Sequence, residues 1–367
     1  MPDPPCARRG PEQPTRHPLS LRVDPIAAML NAELTDHPVY DGVELQWFAD
    51  DRRGTGMLVF LSRREDRRVD YYQQRGLTLD RSGYQLGGGT RSWSEVDFDV
   101  ARLDVTDDGV DAEVRFSDVD GRVVHVRVND RDGRARRRGG LLAPVGAGID
   151  DPSSLLLVWM PVFDLVRRTD TAPVIRIGDA DAQIGRLPGA RLHRRHLIKY
   201  AAPVLAVQVN PRPEGLGTSG SGQTEEWDAG RLRALTARQD RHQARLVLEP
   251  GLPSVDALRD SAGRGRWHVE IDGARLTGGA WSSDATSTGA RVGLEVDERW
   301  SPGRLPWLMR LVTTVVPVFR QWPTTYRWRC EIRWEGQPVV ASRWERTGPA
   351  NDDSYRRATT ARRRRGR

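Results

Sequence analysis

VDAEVRFSDVDGRVVHVRV, residues 110–128, decides the fold. Val110, Ala112, Val114 and Phe116 fall on one side of an extended segment, and Asp111, Glu113 and Arg115 fall on the other. Side chains alternate across a strand, so this is a strand with one apolar and one wet face. Asp118-Val119-Asp120-Gly121 supplies a turn, after which Val124, Val126 and Val128 return the apolar face and His125 joins the charged one. The result is an antiparallel hairpin, the unit of a β-meander.

The same reading extends outward. Val43, Leu45 and Trp47 alternate with Glu44, Gln46 and Phe48; Met57 to Ser62 is apolar on both faces, and Arg52-Arg53-Gly54 turns between them. Val69 to Leu79 carries Tyr71, Tyr72, Gln73 and Gln74, and glycines at 83 and 87–89 bracket Tyr84. Downstream, Gln243–Glu249, Trp267–Leu276 and Ala290–Trp300 read as strands, and a final hairpin pairs Tyr326–Trp334 with Val339–Glu345. There Tyr326, Trp328, Cys330, Ile332 and Trp334 share one face, joined by Val340 and Trp344, while Arg327, Arg329 and Arg333 take the other. Asp151–Arg168 is predicted to hold a short helix with Leu155, Trp159, Val162 and Phe163 inward, interrupted at Pro161.

A chain of 367 residues exceeds the ~250–300 that one core organises, so two domains are expected. The stretch NPRPEGLGTSGSGQ, residues 210–223, has a linker's composition. The expected organisation is a disordered arm (1–22), an N-terminal β domain (23–209), the linker, a Trp-rich C-terminal β domain (224–348) and a disordered basic tail (349–367). The fold class is mainly β, with two antiparallel barrel or sandwich domains and short helices.

The formal charge of +7 is matched by seven Arg between Arg356 and Arg367, so the body is close to neutral and specific nucleic-acid binding is not expected. Lys199 is the only lysine, a bias attributable to coding composition. Cys6 and Cys330 build no disulfide framework, and the N-terminal residues carry no signal-like apolar run; a cytoplasmic location is expected. Leu155–Val166 and Leu305–Phe319 are too short and interrupted to span a bilayer. Leu305–Trp322, with Trp307 and Trp322 near its ends, and the Arg-rich tail are the two candidate points of peripheral membrane contact.

No motif fixes a chemistry. His193 and His196 lack the further ligands that zinc requires, so no metal site is predicted. Gly146-Ala147-Gly148 is followed by Asp151 where a dinucleotide loop needs a third glycine, and no cofactor is predicted. Glu95 and Asp97 alternate with apolar residues and are expected in solvent. Nine of the twelve Trp follow residue 222, more aromatic surface than a thin sandwich layer needs, which points to an aromatic-lined cavity for a lipophilic ligand. Candidate lining residues are Trp47, Tyr71, Gln73, Tyr84 and Trp93 in the first half, and Tyr326, Trp328, Trp334 and Trp344 in the second.

With two consecutive antiparallel halves over residues 39–347 and aromatic faces such as Leu45 with Trp47 and Trp328 with Trp334, the chain resembles the tandem lipocalin-like proteins. That group includes carotenoid 1,2-hydratases, AttH-like proteins and lipocalin-like Diels–Alderases. The resemblance implies a cavity for a terpenoid, carotenoid or polyketide-like molecule, with hydration, cyclisation or isomerisation as the chemistries open to it, and it assigns no catalytic residue. A non-catalytic scaffold or partner-binding β protein is the alternative.

Overall fold

The computed structural model describes residues 17–84, 86–149, 152–185, 193–211, 222–301, 303, 305, 307–335 and 337–347. The predicted tail, most of the predicted linker and residues 1–16 of the predicted arm lie outside them. The protein is mainly β, with two sheets curled into half-barrels, a further sheet and a few short helices.

The first sheet has ten strands: β1 (Leu21–Ile26), β2 (Ala28–Glu33), β3 (Tyr40–Asp50), β4 (Gly54–Arg63), β5 (Val69–Gln74), β6 (Thr90–Val96), β10 (Gly139–Ala143), β11 (Leu155–Arg167), β14 (Arg195–Ala201) and β15 (Val204–Val209). Its order is β1-β15-β11-β14-β2-β3-β4-β5-β6, with β10 on β11. The second sheet holds β7 (Phe98–Thr106), β8 (Gly109–Ser117), β9 (Val123–Asn129), β12 (Val174–Ile177) and β13 (Ala180–Asp181). The third is a sequential meander of β16 (Gln223–Asp228), β17 (Arg231–Gln239), β18 (His242–Pro253), β19 (Gly263–Ile271), β20 (Ala274–Thr286), β21 (Gly289–Glu298), β22 (Tyr326–Glu335) and β23 (Gln337–Arg346).

The hairpin read from residues 110–128 is β8–β9, with Val114 opposite Val126 and every one of its seven apolar-face residues fully buried. It covers one face of the first sheet, where Leu30, Leu45, Val59, Tyr72 and Tyr200 meet Val110, Phe116 and Val126 in a single apolar cluster. The opposite face of the first sheet, with Met29, Phe48, Phe60, Tyr71 and Met160, belongs to a second cluster that continues into the third sheet. Because both faces of the first sheet are covered, its central strands carry apolar residues on both sides.

That double coverage corrects one expectation. Residues 155–167 form a strand, not a short helix: Leu155–Trp159 pair with β15, and Phe163–Arg167 pair with β14. Pro161 falls where the neighbour changes, so its missing N–H breaks no ladder bond. An apolar run buried on both faces has no period by which to distinguish strand from helix. A second difference lies at the predicted arm. Leu19 and Leu21 are buried, and β1 begins at Leu21, with Ser20 N–H donating to Asn210 Oδ1 at 2.8 Å and Leu21 N–H to Gln223 Oε1 at 3.0 Å.

In the third sheet the tryptophans act as core. Trp267, Trp281 and Trp328 are fully buried, and Trp267 Nε1 donates to the carbonyls of Ala280 and Glu295 while Trp281 Nε1 donates to that of Pro250. Large rings suit a curled sheet that must fill its own interior. Two helices, Trp307–Val315 and Pro317–Gln321, connect β21 to β22. No helix among the described residues is long and apolar enough to cross a membrane.

Candidate functional site

A cavity of about 620 Å³ opens on the face of the first sheet turned away from the second. Ile26, Met29, Phe60, Val158, Met160 and Phe163 give it apolar walls, drawn from strands distant in sequence. A further wall is the connection from β5 to β6, through Leu79, Tyr84 and Leu86. These two strands are paired in parallel, so the chain must cross back over the sheet between them. The crossing is fastened by glycines: Gly88 N–H donates to Arg67 O at 2.9 Å, and a Cβ on Gly88 would lie only 2.5 Å from Asp66 O. Gly87 adds a φ of +57°, which a side chain would strain.

One polar cluster interrupts the apolar wall. The strand register places Lys199, Asn31, Glu44, Phe60, Tyr71 and Trp93 in a row across β14, β2, β3, β4, β5 and β6. Residues level with one another on neighbouring strands share a face, so chemistry separated by up to 168 residues becomes adjacent. Asn31 Nδ2 donates to Glu44 Oε2 at 3.1 Å, and Gln46 Nε2 donates to Glu44 Oε1 at 2.7 Å. Lys199, the chain's only lysine, pairs with Glu33 at 2.6 Å. Gln46 Oε1 is buried with no hydrogen-bond partner among the described residues, while Gln46 itself lines the cavity.

Glu44 is partly exposed, yet it lines the cavity and is screened from bulk water by the sheet and the crossing loop. Burial raises its pKa above the usual carboxylate range; the hydrogen bonds from Gln46 and Asn31 and the charge of Lys199 oppose that only in part. A carboxyl so placed spans two roles, accepting a hydrogen bond when ionised and donating one when protonated. Arg22, Asp24, Arg52 and Asp80 also line the cavity. Asp24 bridges Arg22 at 2.9 Å and Arg52 at 2.6 Å, and these exposed ion pairs form a polar rim.

Beneath the crossing loop, the opposite face of β5 holds Asp70, 1% exposed. It accepts hydrogen bonds from Ser92 Oγ at 2.6 Å, Arg91 at 3.0 Å, Arg63 at 3.1 Å and Tyr40 Oη at 3.3 Å, tying β6 to β5 and β4. Burial alone would raise this carboxyl, but the hydrogen bonds from Ser92, Arg91 and Arg63 outweigh it and hold the pKa below its ordinary value.

Of the nine residues read from the sequence as ligand-lining, Tyr84 lies in the cavity wall. Tyr71, Gln73 and Trp93 gather beside it: Trp93 stacks on Tyr71 at 4.7 Å, Tyr71 Oη donates to Tyr84 O at 2.8 Å, and Trp93 Nε1 donates to Gln73 Oε1 at 2.9 Å. Their polar atoms are engaged with one another, so this cluster supports the wall. Trp47 lies on the opposite face, packed against the second sheet's cluster. Tyr326, Trp328, Trp334 and Trp344 lie in the third sheet and are not among the residues that line the cavity; there Trp328 and Trp344 are cross-strand partners and Trp344 Nε1 donates to Val209 O at 3.0 Å. Glu95 and Asp97 are exposed, as read.

Asn31, Glu44, Gln46 and Lys199 are not among the residues that the sequence marks as lining a site. Phe48 gave the available signal, because an aromatic residue on the supposedly wet face of 43–49 marks that face as covered too. Protein-family models, curated proteins and solved structures give no match to this chain.

Proposed function

We propose that the protein binds a lipophilic small molecule of terpenoid, carotenoid or polyketide type in the first sheet's cavity, with the ligand's polar end at Glu44 and Gln46. One observation carries this reading: a carboxyl with a raised pKa and an unpartnered amide oxygen stand together in an otherwise apolar wall. Packed interiors seldom leave space of this size unfilled, and about 620 Å³ falls within the ~300–1,000 Å³ typical of small-molecule sites. The unpaired Gln46 Oε1 can only accept, so the matching ligand carries an O–H or N–H. Two curled half-barrels are compatible with the tandem lipocalin-like group, whose ligands are of this class.

A catalytic reading draws on the same carboxyl. The protonated form of Glu44, which burial favours, could deliver its proton to an alkene or carbonyl of the ligand, the opening step of a hydration, cyclisation or isomerisation. Solvent deuterium entering a polyene alcohol with the wild type, and not with Glu44→Gln, would support it.

Binding is tested with retinol, followed by its own fluorescence. Ala206 lines the cavity opposite Val158, and Ala206→Trp would project an indole into the space. Retinol affinity should fall at least about tenfold while far-UV circular dichroism stays unchanged. Equal affinity in wild type and variant would rule the cavity out as the binding site.

A further inference from the structure

We propose that the helix pair Trp307–Val315 and Pro317–Gln321 is a docking face for an anionic lipid bilayer, placed beside the cavity rim. Docking stands independently of the cavity reading; only its purpose, ligand exchange with the membrane, rests on that reading.

Leu311 and Val315 are 52% and 58% exposed, among the few large apolar side chains of the described residues that face solvent. They sit four apart on the first helix and therefore share its outer face, while Met309 is buried and Val312 packs on the core. The helix's two hydroxyls are turned inward on its own backbone: Thr313 and Thr314 Oγ1 both donate to Arg310 O, at 3.0 and 2.7 Å. That arrangement removes the main polar cost of entering a headgroup layer.

Charge selects the partner. Residues 299–325 contain Arg299, Arg304, Arg310 and Arg320 and no Asp or Glu. Elsewhere arginines are regularly matched by carboxylates, as Arg266 is by Asp297 and Glu298. Arg310 and Arg320 have none among the described residues; their hydrogen bonds go to the carbonyls of Leu305 and Thr314. Exposed apolar residues on the same short segment as unmatched positive charge complement anionic headgroups over acyl chains. A second copy would bring the same positive charge to the contact and be repelled.

The helix pair is packed beside the cavity rim. Trp322, just past the second helix, lies so close over Gly146 that a Cβ there would meet its ring at 2.5 Å. Tyr326 Oη donates to Gly146 O. The adjacent Val145 is 37% exposed and lines the cavity. The segment that carries the helix pair is thus anchored, through the buried Trp322 and Tyr326, on the residue next to the cavity wall.

The test is partition of the full chain onto vesicles of phosphatidylcholine with about 30% phosphatidylserine, against phosphatidylcholine alone, by flotation in 0.1 M salt. Leu311→Asp with Val315→Asp should lower partition onto the anionic vesicles by about tenfold or more. The Arg-rich 356–367 segment is present in both proteins, so its contribution divides out of that ratio. Arg310→Glu with Arg320→Glu should also lower partition, and phosphatidylcholine alone should bind weakly. Far-UV circular dichroism and the urea midpoint serve as the fold control and should be unchanged in both variants, as should retinol titration without vesicles. A wild type that does not float, or a ratio near one for the Leu311/Val315 variant, overturns docking. Failure of retinol to bind the wild type, with the tenfold ratio intact, overturns the cavity reading and leaves docking standing.

Discussion

Asp70→Ala should lower stability by about 3 kcal/mol, the low end of the range for removing one partner of a buried ion pair, because Arg63 and Arg91 can turn to water. Urea unfolding followed by Trp fluorescence measures it. Ser92 and Tyr40 also lose an acceptor, and β6 loses the hydrogen bonds of Ser92 and Arg91 to β5. Since the cavity wall is the connection between those strands, retinol affinity should fall along with stability. The pH dependence gives a second readout. The folded-state pKa of Asp70 is depressed, so its stabilisation is present above the unfolded value of about 3.9 and lost as pH falls through the lower folded value. The wild type should lose this increment in acid, and Asp70→Asn should not. Equal stability of Asp70→Ala and wild type at neutral pH would refute the role given to this carboxyl.

Glu44→Gln should act in the opposite sense, stabilising the fold while weakening the ligand. Burial raises this carboxyl's folded-state pKa, so the native state binds its proton more tightly than the unfolded chain does. Its contribution is therefore favourable in acid and declines as pH rises from about 4.3 through the raised value. Above that value the wild type holds a poorly solvated carboxylate, and the neutral amide should be more stable by ~1–3 kcal/mol. Below about pH 4 the two proteins should match. Retinol affinity should drop about tenfold or more from loss of a charged acceptor, whereas a hydrocarbon polyene of similar length should bind equally to both. A group that costs stability and supports binding is the signature of a functional position. If Glu44→Gln neither stabilises above the pH at which Glu44 ionises nor discriminates the two polyenes, Glu44 is not the polar anchor.

Hairpins were legible because each has one wet and one covered face. Residues 110–128 gave the β8–β9 pairing, and the final hairpin gave the facing of Trp328 toward Trp344, because period-2 alternation survives intact there. The first sheet's middle was less legible, since alternation tells which residues share a face but not what covers it. Trp47 and Glu44 lie on opposite faces of β3, and both faces are covered; the aromatic side looked like the interior, and the polar side holds the cavity. Tryptophan number is a poor guide to open space for a related reason. Trp267, Trp281 and Trp328 fill the curl of the third sheet, so abundance of rings reported packed volume and not open space. Lys199 stood out in composition, but its position beside Asn31 and Glu44 comes from strand pairing, which a single sequence does not reveal.

The first sheet joins its earliest strand to its last, with Ser20 bonded to Asn210 across 190 residues. On a translating ribosome, β1 therefore emerges without its partner and waits until residues 204–209 have left the exit tunnel. Asn31 and Glu44 can meet early in the β2–β3 pairing, but Lys199 joins them only once β14 has emerged, and until then strands that will be covered on both faces remain open to solvent. Pairings of such long range form slowly and expose aggregation-prone edges meanwhile. A molecule that occupies the finished cavity binds only the completed sheet, so by mass action it should raise the yield of folded protein during expression.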